Sequence, residues 1–199
     1  MQDWRNLHGF WFGDIKIEAD YYKKNLRRWF DSDNPEFARQ CRQFASLFEN
    51  FKIDKYSHWL QTPQGYVTLL VLLDQIPRAL YRDRKKAYRF DKISVALSIA
   101  AIDKSIESSL NLAERIFLYM PLAHAEDRHL QSLSVQKFKE LFEQSPEEIK
   151  EYTHLGLTKA VEHCAVIEKF GRFPHRNPIL GRVNTTVESE YMKGFEKQF

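Results

Sequence analysis

Residues 62–78 read TPQGYVTLLVLLDQIPR, and this stretch decides the fold class. Thr62 followed by Pro63 is typical of a helix start, because threonine can accept hydrogen bonds from free N–H groups and proline fits the first turn. Residues 66–73 are almost entirely apolar, so the predicted helix is apolar on all sides and belongs in the centre of a core. We expect Pro77 to end this helix, since proline lacks an N–H donor and disfavours helix at the residue before it.

Start and stop signals of the same kind recur along the chain, whereas strand signals do not. The patterns of residues 145–148 and 185–188 are typical of capping boxes, in which the first and fourth residues satisfy each other's backbone N–H groups. Pro121 and Gly171 are each expected to end a helix, and residues 172–184 are the one long stretch predicted to be non-helical. The predicted helices cover residues 18–30, 34–51, 53–60, 62–76, 87–104, 111–119, 126–142, 146–170 and the segment from 185 onwards.

We therefore predict an all-α fold in which residues 1–199 form a single domain. The chain has 199 residues, of which 43% are hydrophobic and 14% aromatic, enough to bury a sizeable core. Short connections between helices favour antiparallel helix pairs, arranged as an irregular bundle or solenoid. The lengths of these pairs are similar to those of tetratricopeptide repeats, although the consensus of that repeat is not visible.

The composition also limits the partners and the location. A net charge of +3 is only mildly basic, so nucleic-acid binding is not favoured. The N-terminus has no signal-peptide pattern, and the longest apolar stretch, residues 67–73, is too short to span a membrane. Cys41 and Cys164 are isolated within helical patterns and are interpreted as reduced core residues. We expect a cytoplasmic protein without membrane association, and its oligomeric state stays open.

Three polar segments break these local rules and are the candidate functional sites. In the first, Asp74 lies at the predicted C-terminal end of an apolar helix, where the helix dipole disfavours a carboxylate. Arg78 or Arg82 could offset this, either in a buried Asp–Arg brace or as an arginine pair presented to a ligand, with Asp74 orienting one guanidinium. Gln75 is the fourth candidate ligand-binding residue of this segment.

The second segment carries His124 and Glu126 between Pro121 and a predicted helix start. Helix starts offer free N–H donors, so this junction could bind an anion or perform general acid–base chemistry. Alternatively, Glu126 caps the helix and His124 packs beside it. Both are candidate catalytic residues.

The third segment is the arginine-rich stretch 170–182, which two prolines stiffen. Basic side chains on a rigid loop are typical of binding elements. Alternatively, its arginines cap the C-terminal ends of helices. The candidates here are Arg172, Arg176, Asn177 and Arg182 for ligand binding and His175 for catalysis.

No metal site and no cofactor is predicted. Glu126 with His129, and Glu151 with His154, have the spacing found in di-iron bundles, but the second pair falls on a solvated helix face. The fingerprints of nucleotide-binding loops and of serine hydrolases do not occur. His163, at the edge of an apolar stripe, is interpreted as a core histidine with one hydrogen-bond partner.

Four motifs together resemble a known bacterial family. They are FWFG at residues 10–13, LDQIPR at 73–78, His124-x-Glu126, and FGRFPHRN at 170–177. Their order and spacing are similar to those of domain of unknown function 924 over about residues 10–191. The resemblance implies an all-α fold similar to tetratricopeptide-repeat proteins, and it implies no established activity. Ala125 stands where the family usually has serine, which argues against serine catalysis at that position.

Three functional hypotheses follow, and whether the protein is an enzyme is open among them. The leading one is that the three segments meet in an Arg/His-lined pocket for an anionic small molecule or peptide. The second is a hydrolase or transferase that uses His124 or His175 as general base on an anionic substrate. The third is a helical-repeat module that holds a partner protein in a concave groove.

Overall fold

The computed structural model describes residues 3–30 and 34–194, and within these ranges the secondary structure is helical with no strand. The α-helices are α1 (Arg5–Phe12), α2 (Ala19–Phe30), α3 (Pro35–Cys41), α4 (Ala45–Glu49), α5 (Ile53–Tyr56), α6 (Pro63–Leu70), α7 (Ile76–Leu80), α8 (Asp91–Asp103), α9 (Leu112–Ala123), α10 (Arg128–Glu143), α11 (Lys150–Phe170), α12 (Asn177–Leu180) and α13 (Thr186–Lys193). A π-helical turn, Val71–Gln75, joins α6 to α7. Short 3₁₀ turns occur at Arg42–Phe44, Ser57–Gln61, Lys85–Tyr88, Ile106–Ser109, Glu147–Ile149 and Pro174–Arg176. The all-α fold class is confirmed.

The continuous unit of α6, the π-turn and α7 runs through the core, as predicted for an entirely apolar helix. Every side chain from Leu69 to Leu73 is fully buried. Helices α1, α8 and α9 pack against α6, while α9, α10 and α11 contact one another in sequence through short connections. Consecutive helices joined in this way pack as antiparallel neighbours. The repeat-like character of the arrangement stays a prediction.

The expectation that Pro77 ends the central helix is wrong. The N–H of Ile76 donates to the carbonyl of Val71, five residues back, instead of to the usual fourth residue. This wider π-turn accommodates the proline ring, and the chain stays helical to Leu80. Asp74 therefore lies inside a buried helical turn and not at a helix end.

The expectation that Pro121 ends a helix is also wrong. Helix α9 continues through Pro121 to Ala123, with Phe117, Leu118 and Leu122 buried around the proline. A proline inside a helix costs about 3 kcal/mol, and burial of these apolar side chains offsets that cost. The helix consequently delivers His124 directly to the core.

One of the two predicted capping boxes is confirmed and the other is wrong. At the start of α13, Thr185 Oγ1 accepts from the N–H of Glu188 at 3.2 Å, and Glu188 Oε2 accepts from the N–H of Thr185 at 2.7 Å. Before α11, the Ser145 hydroxyl instead donates to the carbonyl of Leu141 at 2.7 Å. Because this hydroxyl completes the preceding helix, a 3₁₀ turn without a side-chain cap leads into α11.

The stretch predicted to be non-helical contains a 3₁₀ turn and α12. Pro174 and Pro178 each stand in the first turn of one of these segments, where the missing N–H costs little. The prolines that suggested a loop thus start two short helical turns. Gly171, with φ of 69°, ends α11 in the left-handed conformation, as predicted.

Within the described ranges, no helix combines the length and the apolar character needed to cross a membrane. Cys41 and Cys164 are free thiols. Cys41 is fully buried, as predicted, whereas Cys164 is only partly buried.

Candidate functional site

The three polar segments meet where the π-turn, the end of α9 and the 3₁₀ turn after α11 come together. His124, the residue after α9, places its Nδ1 at 2.9 and 3.0 Å from the two carboxylate oxygens of Asp74. Arg176 donates from Nη1 to the backbone carbonyl of His124 at 2.9 Å. The structure therefore brings these segments together, with His124 as their common contact.

Asp74 is the buried anion of this junction, with only 1% of its surface exposed. Its carboxylate lies 3.0 Å from Arg78 Nη1 and accepts a hydrogen bond from Gln75 Nε2 at 2.5 Å. Burial alone would raise the pKa of Asp74, but Arg78 and His124 outweigh it and hold that pKa well below its usual value. Asp74 is therefore ionised at neutral pH.

Arg78 is balanced by two carboxylates. In addition to Asp74, it donates from Nη1 and Nη2 to the two oxygens of Asp91, at 3.1 and 2.9 Å. Burial would lower the pKa of Arg78, but the two aspartates outweigh it and raise that pKa. Arg78 thus forms an Asp–Arg brace, one of the two alternatives for this segment, while 20% of its side chain stays exposed.

His124 is held by Asp74 in one tautomer. Burial and the nearby Arg78 lower the pKa of His124 more than Asp74 raises it, so the imidazole is neutral at pH 7. A neutral imidazole has one N–H, and the contact with an ionised carboxylate requires it on Nδ1. Nε2 consequently carries a lone pair, and within the described residues it has no hydrogen-bond partner.

Arg176 differs from Arg78 and Arg182 because no carboxylate of the described residues contacts its guanidinium, and Asp91 and Glu126 act on it only from a greater distance. The residue is 7% exposed, and no Asp or Glu of the described chain lies within 4.0 Å of its guanidinium. Its Nε is buried and finds no hydrogen-bond acceptor among the residues that the structure describes. Burial, with Arg78 nearby, lowers the pKa of Arg176 to about 10, so it remains charged. A buried charge that no carboxylate contacts directly is costly, which makes Arg176 the least satisfied charged group of the junction.

Tyr88 connects the two arginines. Its ring centre lies 5.0 Å from Cζ of Arg176 and 5.6 Å from Cζ of Arg78, within cation–π range of both. Sequence reasoning did not predict Tyr88 or Asp91. Tyr88 comes from a 3₁₀ turn and Asp91 from the first residue of α8, and neither has a local pattern that marks it.

Two aromatic side chains complete the site. The imidazoles of His124 and His163 lie 6.3 Å apart, and the ring of Phe173 lies 5.3 Å from His163 and 4.3 Å from Cζ of Arg176. These contacts form a closed cycle of side chains, which we call the Arg–His ring. Its members, in order, are Asp74, His124, His163, Phe173, Arg176, Tyr88 and Arg78.

The other histidines at the ring are neutral. His163 donates from Nδ1 to the carbonyl of Ala123 at 3.0 Å, in agreement with its interpretation as a core histidine. Burial lowers the pKa of His163 to about 3. The ring of His175 lies 5.5 Å from that of Phe173 and is tilted by 44° to it, and burial together with Arg176 lowers the pKa of His175 to about 4.

Glu126 supports the loop and does not cap α10. Arg182 donates to its two oxygens at 2.5 and 2.9 Å, and the N–H of Phe173 donates to Oε1 at 2.9 Å. Burial would raise the pKa of Glu126, but these donors outweigh it and lower that pKa. The cap of α10 is Asp127, which accepts from the N–H of Leu130 at 3.0 Å. Glu126 and Arg182 thus hold the turn that carries Arg176.

The remaining candidates are not members of the ring. Arg172 is paired with Glu188 at 2.6 and 2.7 Å and therefore braces α13, not a helix C-terminus. The buried Asn177 donates to the side chain of Asn184 at 2.6 Å. Arg82 is exposed on the turn after α7. Across residues 3–30 and 34–194, no cluster of three or more His, Cys, Asp or Glu side chains is arranged to hold a metal.

Fold and site define an all-α protein with a buried Asp–His pair beside a buried arginine that no carboxylate of the described residues contacts. The chain belongs to the family described as bacterial protein of unknown function (DUF924), whose family model matches residues 7–195, which confirms the resemblance seen in the motifs. It is also similar to the solved structure of a protein of unknown function, ATU0120 from Agrobacterium tumefaciens. The two share 27% identity with a TM-score of 0.77, over 97% of this chain and 100% of the other. A comparison with curated proteins gives no match.

Proposed function

We propose that this protein binds an anionic small molecule, or an anionic group of a peptide, at Arg176 within the Arg–His ring. The observation that carries the proposal is the buried guanidinium of Arg176 without a carboxylate partner in the described chain. Arg78, which contacts the same Tyr88 ring, has two such partners. An anion at Arg176 would supply the missing charge and bond to a donor that the fold leaves unsatisfied.

Access and electrostatics both support this assignment. Arg78 and His124 keep 20% and 11% of their side-chain surfaces exposed, so the ring is reachable from solvent. The neutral histidines do not compete with Arg176 for the charge of an anion. The low local dielectric strengthens an interaction between Arg176 and an anion relative to one at the surface.

The test is a thermal-shift screen of wild-type protein with phosphate, sulfate, acetate, succinate and malate at equal ionic strength. We expect at least one anion to raise the melting temperature, because a ligand that binds only the folded state stabilises it. Arg176→Met should abolish that rise. Arg42→Met, which removes the same charge from an exposed position, should preserve it.

The stability of Arg176→Met in the absence of ligand provides a second test. Arg176→Met removes a buried charge that no carboxylate of the described residues contacts and fills the space with an apolar chain, so without ligand it should be no less stable than wild type. An anion-induced rise that survives in Arg176→Met would overturn the proposal, as would a wild-type protein that none of the anions stabilises.

A second candidate function is hydrolysis or group transfer with His124 as general base. The specific observation is the pair of contacts between His124 Nδ1 and Asp74, the arrangement that orients a catalytic imidazole and stabilises its protonated form. Glu126 is less suited to proton transfer because Arg182 occupies both its oxygens. Turnover of a p-nitrophenyl ester or phosphate that disappears in His124→Gln would support catalysis, whereas binding without turnover would leave the ligand-binding function alone.

A further inference from the structure

The protonation of His124 restricts which anion suits the ring. Its Nδ1–H is directed at Asp74, so the free Nε2 is an acceptor and offers no hydrogen to an anion. Fully ionised oxyanions are also pure acceptors. If such an anion lay against both Arg176 and His124, two lone pairs would face each other at Nε2.

We propose that the ring selects an oxyanion that carries its own O–H, with the charged oxygens against Arg176 and the O–H donating to Nε2 of His124. This inference rests on the proposed function and deepens it by naming the ligand class. Two kinds of ligand have this combination of charged oxygens and an O–H. One is inorganic phosphate, which keeps at least one O–H near neutral pH, and the other is a carboxylate with a neighbouring hydroxyl group.

Other protonation states and orientations of the His124 imidazole are less favourable in the Arg–His ring. His124 would have to take up a proton to donate to an ion such as sulfate, and Arg78 and Arg176 both oppose that charge. Turning the imidazole so that Nδ1 faces the ligand would break its contacts with Asp74, which is 1% exposed. Leaving a buried charged group without one of its hydrogen bonds is costly.

Two matched pairs of anions provide the test. Phosphate and sulfate have similar size and shape, and only phosphate carries an O–H; malate and succinate differ by one hydroxyl group. Calorimetric titration of the full chain at about pH 7.5 should give affinity about tenfold or more higher for the hydroxyl-bearing member of at least one pair. Preference within the first pair indicates free phosphate, and preference within the second indicates a hydroxy acid.

The variant His124→Gln tests whether Nε2 of His124 causes the preference for the anion that carries an O–H. A glutamine amide can either donate or accept, so this variant should bind both members of the selected pair about equally. Arg176→Met should bind neither. Circular dichroism spectra of both variants check that the helices are retained.

The outcomes separate this inference from the proposed function. Equal binding within both pairs by wild-type protein overturns the inference while the anion site stands, and so does a preference that persists in His124→Gln. Absence of binding by all four anions overturns both. Preference that is present in wild type and absent in His124→Gln supports the inference.

Discussion

Gly65, three residues into α6, is the position with the least room for a side chain. A Cβ there would lie 2.4 Å from the backbone oxygen of Trp59 and 2.9 Å from Oγ1 of Thr62, the cap of the same helix. Neither atom belongs to a flexible chain end, so the backbone must shift. We expect Gly65→Ala to lower the free energy of unfolding by about 1–3 kcal/mol, measured by urea denaturation.

Gly9 provides the control for this substitution. It lies within α1, and a Cβ there would meet nothing within 4 Å. Gly9→Ala should therefore raise the free energy of unfolding by about 0.5–1 kcal/mol through helix propensity. Similar effects of the two substitutions would contradict the close contact at Gly65.

Single residues of the site were predictable to different degrees. Asp74, His124 and Arg176 could be selected because each breaks a local rule, with a charge or a histidine beside a proline-disturbed helix. Tyr88 and Asp91 could not be selected, because their roles depend on Arg78 and on a turn whose position only the fold determines. No local pattern distinguishes Arg176, which no carboxylate of the described chain contacts, from Arg182, which pairs with Glu126.

At the scale of elements, one ion pair fixes α13 to the loop that follows α11. Arg172 binds both oxygens of Glu188, which also caps α13. Glu188→Gln should lower the free energy of unfolding by about 1–3 kcal/mol at pH 7, since it removes the charge that balances Arg172. Glu190→Gln, which affects an exposed pair with Lys193, should cost less than about 0.5 kcal/mol.

The effect of Glu188→Gln should depend on pH. Arg172 and the Thr185 N–H outweigh burial and lower the pKa of Glu188 to about 2, from an ordinary value of 4.5. Its contribution is therefore complete above pH 4.5 and is lost as the pH falls toward 2. Urea denaturation from pH 7 to pH 3 should show the difference between wild type and Glu188→Gln shrinking below about pH 4.5. A difference that stays constant to pH 3 would contradict the assigned pairing.

The presence of the helices could be predicted from the sequence, but the residues at which they end could not. Pro77 and Pro121 are local stop signals, yet both lie inside helices because the surrounding apolar side chains are buried against distant segments. The π-turn that accommodates Pro77 has no sequence signature of its own. Where a cap depends only on residues three apart, as at Thr185 and Glu188, the local pattern was sufficient.

At the scale of the whole molecule, three histidines link stability to pH. His124, His163 and His175 come from different segments, and burial lowers the pKa of each, to about 3 for His163 and about 4 for His175. An unfolded histidine binds a proton as the pH falls below about 6.5, whereas these folded ones resist it. The unfolded state therefore gains protons over the window from pH 6.5 to about 4, and stability falls as the pH is lowered through it.

The largest contribution to this acid sensitivity should come from His163, whose pKa burial lowers furthest and whose Nδ1–H is bonded to the carbonyl of Ala123. In His163→Gln an amide can keep that hydrogen bond but cannot titrate, so the free energy of unfolding should fall less steeply between pH 6.5 and 4.5 than in wild type. His129→Gln, at an exposed position, should leave the slope unchanged. Urea denaturation at four pH values across the window measures each slope. Parallel curves for wild type and His163→Gln would mean that His163 takes up its proton as readily in the folded chain as in the unfolded one. The description of His163 as a buried, neutral imidazole of the Arg–His ring would then be wrong.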